Sequence, residues 1–195
     1  MIILANLNKT PNIWLTSDLH FCHDRAFVYE PRGFSNIEEM NQAIVKRWNS
    51  VVQSEDIVYV LGDIMLNNND EGIRLLKSLN GHIHIVLGNH DTATREALYR
   101  ECENVESVEL AARLKYRGYH FFMTHYPCLT GNLEKESLKQ CTLNLYGHTH
   151  QQTNFFQDLP YVYHVGVDSH NCTPVHIETI LKEMHEKVDE CKEML

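Results

Sequence analysis

Five short stretches carry residues able to do chemistry together. "SDLHFCH" supplies Asp18 and His20, "LGD" supplies Asp63, and "LGNHD" supplies Asn89 and His90. "MTHYP" supplies His125, and "LYGHTHQQ" supplies His148 and His150. Each follows an apolar run of strand length, and in open α/β sheets ligands bind beyond the carboxyl ends of strands. Carboxylate and imidazole donors without thiolate suit Mn²⁺, Fe, Zn²⁺ or Ni²⁺ in a working site rather than structural zinc. In an extended chain residues i and i+2 point the same way, so Asp18 with His20, and His148 with His150, can each address one centre or two adjacent ones. Gly62, Gly88 and Gly147 permit the sharp turns that aim the following side chains into a crevice. "GD" alone says little; five such stretches in this order say much more.

The elements that must position these residues alternate. "NIWLTSD", "DIVYVLGD" and "HIHIVLGNHD" read as strands ending in polar turns. "NIEEMNQAIVKRWNSVV" has apolar residues at helical spacing, with Ser35 and Glu38 placed as a capping box. "NDEGIRLLKSLNG" predicts a helix stopped by Gly81, and "TATREALYREC" a shorter one. "SVELAARLKY" and "YHFFMTHYP" read as two antiparallel strands joined by an "RG" turn. "TLNLYGHTH" and "YVYHVGVD" read as further strands, and "PVHIETILKEMHEKV" as a closing helix with Pro174 near its start. No repeat or linker interrupts the pattern, so one α/β domain over residues 1–195 is expected.

Composition narrows the function classes. The longest apolar runs, "IVYVL" and "IHIVL", fall far short of the roughly 20 residues a bilayer helix needs. The opening "MIILANLNKTPNIWL" lacks a basic start and is broken by polar residues, unlike a secretory signal, so no membrane association and a cytoplasmic location are expected. The six cysteines are scattered without a CxxC and read as reduced thiols. A formal charge of −9 argues against an extended nucleic-acid partner. Thirteen histidines are many, though any one alone reads more readily as an ordinary core or surface group.

The ordered set "DLH", "GD", "GNHD", "THYP" and "GHTH" resembles the calcineurin-like metallophosphoesterases, from about residue 14 to 150. The size resembles the compact single-domain bacterial and phage members. The resemblance implies a four-layer αββα sandwich of two mixed sheets flanked by helices. It implies that Asp18, His20 and His150 bind a first metal, that Asp63 bridges, and that Asn89, His125 and His148 bind a second. His90 is then the substrate-contacting general acid rather than a ligand. The first motif departs from the "GDxHG" of many phosphatase relatives, so protein-phosphatase specificity does not transfer. The chain is also too short for the capping domains of some nuclease and nucleotidase relatives.

Two divalent ions roughly 3.5–4 Å apart can clamp the attacking and leaving oxygens of an in-line displacement, with a hydroxide between them attacking phosphorus. With only Asp18 and Asp63 anionic among the proposed ligands, the loaded site is locally positive on an acidic protein, which favours a small phosphate ester. The expected activity is hydrolysis of small mono- or diesters, nucleotides and cyclic nucleotides among them. The alternatives are a nuclease, a nucleotide-sugar or lipid pyrophosphatase, or a scaffold that has lost catalysis. Asp24, Asp56 and Asp91 are candidates to orient His90, and His23 and Arg25 candidates to meet phosphate oxygens. His164, His170 and His176 lie near "GVD", a segment able to return to the site, but read more readily as structural. Cys22 is given little weight as a nucleophile. Substrate recognition falls to the loops 22–36, 64–72, 126–140 and 151–160.

Overall fold

The computed structural model describes residues 11–131 and 137–193. Most of the opening segment, and part of the 126–140 loop, lie outside the described residues. In chain order the elements are β1 (Ile13–Thr16), α1 (Ala26–Tyr29), α2 (Ile37–Val51), β2 (Ile57–Leu61), α3 (Asn69–Lys77), β3 (His82–Val86) and α4 (Ala93–Arg100). Then come β4 (Val105–Glu109), β5 (Ala112–Tyr116), β6 (Tyr119–Met123), β7 (Thr142–Tyr146), β8 (Val162–His164), β9 (Val175–His176) and α5 (Ile177–Glu193).

Two mixed sheets form an α/β sandwich flanked by helices, as the resemblance implied. One sheet runs β4-β3-β2-β1-β9, the other β5-β6-β7-β8. The first is parallel except for β9; in the second only the β5–β6 pair is antiparallel. Alternation along the central strands divides the core in two. Val58, Val60, Ile83 and Ile85 face the helices, against Met40, Ile44, Trp48, Leu75 and Leu76. Leu15, Leu61 and Val86 face the other way, against Phe121, Met123, Leu143 and Leu145 of the second sheet and Ile180 and Met184 of α5.

Several local expectations are corrected. The cap of α2 falls one residue later than Ser35. Asn36 is the last extended residue and accepts from Glu39 N, while Glu39 reaches back to Ser35 N at 2.9 Å. Helix α3 ends at Lys77, so Gly81, with φ +97°, serves the turn into β3 instead of the helix end. "SVELAARLKY" is two strands in two sheets: β4 pairs with β3, β5 with β6, and the chain crosses between sheets at Leu110–Ala111. Pro174 precedes the short strand β9, which pairs with β1 before α5 begins. The Arg117–Gly118 turn has both φ values positive, the tight hairpin geometry expected of "RG". Among the described residues, which include all six cysteines, there is no disulfide, and no helix is long and apolar enough to cross a membrane.

Candidate metal centre

The carboxyl ends of β1, β2 and β3 in one sheet, and of β6 and β7 in the other, open toward a common edge, and the five stretches are the loops that leave them. These loops are not extended. Asp18, His20, Asp63, His148 and His150 all have φ between 49° and 69°, the left-handed region that Asp and His tolerate better than most residues. The i, i+2 pairs therefore converge through coiled turns rather than through a shared strand face.

Of the three motif glycines only Gly62 needs its conformational freedom, with φ +90°. Gly88 and Gly147 have ordinary φ and are required by close approach. A Cβ on Gly88 would overlap Asp63 Oδ1 and lie 2.6 Å from Asp63 N. One on Gly147 would lie 2.5 Å from Asp18 Oδ2. The loops press backbone against carboxylate, which is how they fix it.

At one end of the site Asp18, His20 and His150 converge. Asp18 Oδ1 lies 4.0 Å from His20 Nε2 and 3.9 Å from His150 Nε2. In the middle, Asp63 accepts from His90 N on Oδ1 at 2.9 Å, leaving Oδ2 facing His20 Nε2 at 3.7 Å and His125 Nε2 at 3.5 Å. At the other end Asn89 Oδ1 lies 2.9 Å from both His125 Nε2 and His148 Nδ1. His148 and His150 thus face opposite ends. A second convergence, of Asp18, Asp63 and His125, crosses the two groups and brings Asp18 toward both.

These donors fit divalent ions on the state of their lone pairs. His20 Nε2 is buried with no hydrogen-bond partner, an arrangement that costs free energy unless a cation fills it. Burial, then the Arg32 guanidinium, holds the His20 pKa well below the ordinary imidazole value, so the ring presents a lone pair. His125 Nδ1 donates to Leu61 O at 2.8 Å, so in the neutral ring Nε2 turns a lone pair onto Asn89 Oδ1. His148 is likewise lowered by burial and by His125. Asp18 is raised by burial, partly offset by His150 and His125, though Ser17 Oγ and His148 N donate to it at 2.5 and 2.9 Å.

Two residues that sequence reasoning missed hold His150. Asp168 Oδ2 lies 2.9 Å from His150 Nδ1, and Arg32 Nε and Nη2 donate to Asp168 Oδ1 and Oδ2 at 2.9 and 3.0 Å. Arg32 Nη2 also donates to Asp18 O at 3.0 Å. A carboxylate on Nδ1 fixes the tautomer and leaves Nε2 for a metal. Burial opposes the Asp168 charge, but the His150 hydrogen bond and Arg32 outweigh it and hold the carboxyl well below its usual range. Burial also opposes the His150 imidazolium, and Asp168 and Asp18 more than compensate, raising its pKa. The only sequence signal for Asp168 was "GVD", which returns beside the first motif where Val167 N donates to Ser17 O.

His90 is 42 % exposed, its Nε2 3.9 Å from Asp63 Oδ2. Of its candidate orienters, Asp56 lies at the far end of β2, where Asn12, Trp14 and Gln53 donate to it. Asp91 accepts from Asp63 N, Gly88 N and Tyr99 Oη, and so staples two loops together. Asp24 lines the neighbouring groove along with Arg25 and Cys22. His23 lines the metal cleft, its Nδ1 3.0 Å from His20 Nδ1. The guanidinium bordering the cleft belongs to Arg32. His164 is buried against Ser169, His170 bonds the His164 carbonyl, and His176 packs edge-on to Trp14.

An uncharacterized protein of Methanocaldococcus jannaschii is 34 % identical over 181 residues, covering 87 % of this chain and 89 % of its own. The gene 66 protein of Mycobacterium phage L5 is 28 % identical over 184 residues, covering 81 % and 87 %. A solved structure of a protein of unknown function from Aquifex aeolicus shares the fold, with a TM-score of 0.68 at 23 % identity over 89 % of this chain and 99 % of its own. The family model described as the calcineurin-like phosphoesterase superfamily domain matches residues 12–178, from the start of β1 into α5. That span contains all five loops of the candidate metal centre, and the chain belongs to the calcineurin-like phosphoesterase superfamily.

Proposed function

We propose that the chain hydrolyses small phosphate mono- or diesters with two divalent ions. Asp18, His20 and His150 would hold one, Asn89, His125 and His148 would hold the other, and Asp63, between the two groups, would serve both. The observation carrying this reading is the pair of histidine Nε2 atoms facing Asp63 Oδ2, His20 at 3.7 Å and His125 at 3.5 Å, with His20 Nε2 buried and unpartnered. When bound, such ions polarise a phosphoryl group and lower the pKa of a water. The chain's own part is to hold each donor by a second contact: His125 by Leu61 O, His150 by Asp168, and His20 beside His23. His90, half exposed at the cleft with Nε2 3.9 Å from Asp63 Oδ2, would serve as the general acid toward the leaving alcohol.

The test is metal analysis of the purified protein, then assays with Mn²⁺ on aryl mono- and diesters and on 2′,3′- and 3′,5′-cyclic nucleotides. Asp63→Asn should lose activity at least 100-fold. His90→Ala should lose about 10²–10⁴-fold, the usual contribution of a general acid, and less on nitrophenyl esters whose leaving group needs no proton. Hydrolysis of nothing in the panel, or full activity in Asp63→Asn, would overturn the proposal.

A further inference from the structure

The metal cleft has a volume of about 390 Å³, near the lower end of small-ligand sites. One wall is histidine and carboxylate. The other is apolar, made by Phe27, Val28 and Pro31, with Gln152 beside it. Val28 is buried and anchors α1 in the core, whereas Phe27, on the same short helix, is 71 % exposed. Of the other large exposed hydrophobics among the described residues, Leu110 and Leu129 do not line this cleft, and Tyr126 packs edge-on against His125 and His148 at the opposite end of the site from Phe27. Single exposed apolar side chains are ordinary on a surface. Phe27 lines the cleft, edge-on to His23, and among the described residues stays largely uncovered.

Its position relative to the donors is regular. The rings of His20, His23 and Phe27 follow one another outward, with centroids 5.2 Å and then 5.7 Å apart. His90 stands beside the same ladder, 5.6 Å from His20 and 6.2 Å from His23. A phosphate ester at Asp63 with its leaving oxygen beside His90 would carry its alcohol past His23 toward Phe27. A nucleotide has this layout: phosphate, then a pentose, then a planar ring. Aromatic side chains stack nucleobases without needing a particular sequence, and the Gln152 amide offers a donor and an acceptor to a base edge.

We infer that the substrate is a nucleotide whose base stacks on Phe27, with the phosphate at the metal centre. This rests on the hydrolase reading above and names its substrate class. The test uses ligands that cannot turn over: the phosphonate analogues of adenosine 5′-monophosphate and of ribose 5-phosphate, with a methylene in place of the ester oxygen. Calorimetric titration in Mn²⁺ buffer should show the adenosine compound binding between roughly 5-fold and 150-fold tighter, equivalent to ~1–3 kcal/mol for one stacked base. Phe27→Ala should bring that ratio close to one, Phe27→Trp should keep it, and Leu110→Ala should leave it unchanged.

Equal affinity for the two compounds, no binding of either, or an unchanged ratio in Phe27→Ala would overturn the inference. If esters are cleaved but the ratio is flat, the hydrolase reading stands and the nucleotide assignment falls. If a Phe27-dependent ratio is found in a protein that cleaves nothing, the nucleotide site stands and the hydrolase reading falls.

Discussion

Replacing Gly88 by alanine separates two reasons for a glycine in this site. Its φ is not in the left-handed region, so alanine meets no conformational obstacle there. The added Cβ would, however, lie 2.6 Å from Asp63 N and 2.9 Å from the carboxylate carbon, in contact with Oδ1 as well. The two loops must part, and both hang on Asp91, which accepts from Gly88 N and Asp63 N at 2.8 Å. Overpacking costs about 1–3 kcal/mol, and each strained hydrogen bond loses part of the ~0.5–1.5 kcal/mol it contributes. A loss of about 2–4 kcal/mol follows, or roughly 5–15 °C in the melting temperature of a chain this size. Gly118→Ala supplies the comparison: φ is +85° with only Lys139 Cδ nearby at 3.9 Å, so the cost is left-handed strain of about 1 kcal/mol. Melting curves in EDTA and again in Mn²⁺ read both effects. Gly88→Ala should melt lower without metal and gain less from Mn²⁺, because the displaced carboxylate is Asp63; Gly118→Ala should gain as much as the parent. A Gly88→Ala protein melting within about 2 °C of the parent, with the full Mn²⁺ increment, would refute the close-approach argument.

Asp168→Asn leaves His150 without an anionic anchor and Arg32 without its partner. Affinity for one ion should drop about 10–100-fold while the other is retained, read as a split in a Mn²⁺ titration; two unchanged binding steps would show that Asp168 does not position His150. His164 gives a pH prediction. Burial lowers its pKa to about 3, against about 6.5 in the unfolded chain. A depressed folded value means its contribution is whole above pH 6.5 and erodes as the pH falls toward 3, because the unfolded chain takes the proton first. Unfolding free energies from urea titrations between pH 7 and pH 4 should fall more steeply in the parent than in His164→Gln, by up to ~1.4 kcal/mol per pH unit; equal slopes would refute the assignment.

What could be read from the residues, and what could not, divides by the range of the cause. The strands "DIVYVL" and "HIHIVL" are apolar because both faces are buried, and that is visible within six residues. The donor stretches are visible because a turn and its ligand are neighbours. The α2 cap moved by one residue because Asn36 and Ser35 are both good capping residues, and only packing decides where the first helical turn starts. The break between β4 and β5 was hidden because "SVELAARLKY" alternates without a turn residue; the sheet change is forced by what each half pairs with. Arg32 and Asp168 are 136 residues apart, joined only when the chain after β8 returns to β1. No local pattern encodes that meeting.

The left-handed donors and the crowded lone pairs have a common explanation. Asp18, His20, Asp63, His148 and His150 each hold a conformation costing of order 1–3 kcal/mol for a residue with a side chain. Strain of that size persists only where the surroundings over-determine it. Here they do: Asp18 N donates to Gly62 O, His20 N to Asp63 O, Asp63 N to Asp91 and His148 N to Asp18, so each loop's backbone is bonded to another loop. The same bonding leaves the donors no freedom to turn away from one another. An unpartnered Nε2 on His20 and the close approach of His125 Nε2 and His148 Nδ1 to Asn89 Oδ1 are therefore built into the folded chain. Relieving them is free energy available to binding, because anything that binds the folded chain and not the unfolded one stabilises it. Loops bonded to one another rather than to their own strands deliver that energy together only where they share a donor, so replacing Asp63, whose Oδ2 faces both His20 and His125, should weaken metal binding throughout the site, whereas a change at His150 should weaken its own end.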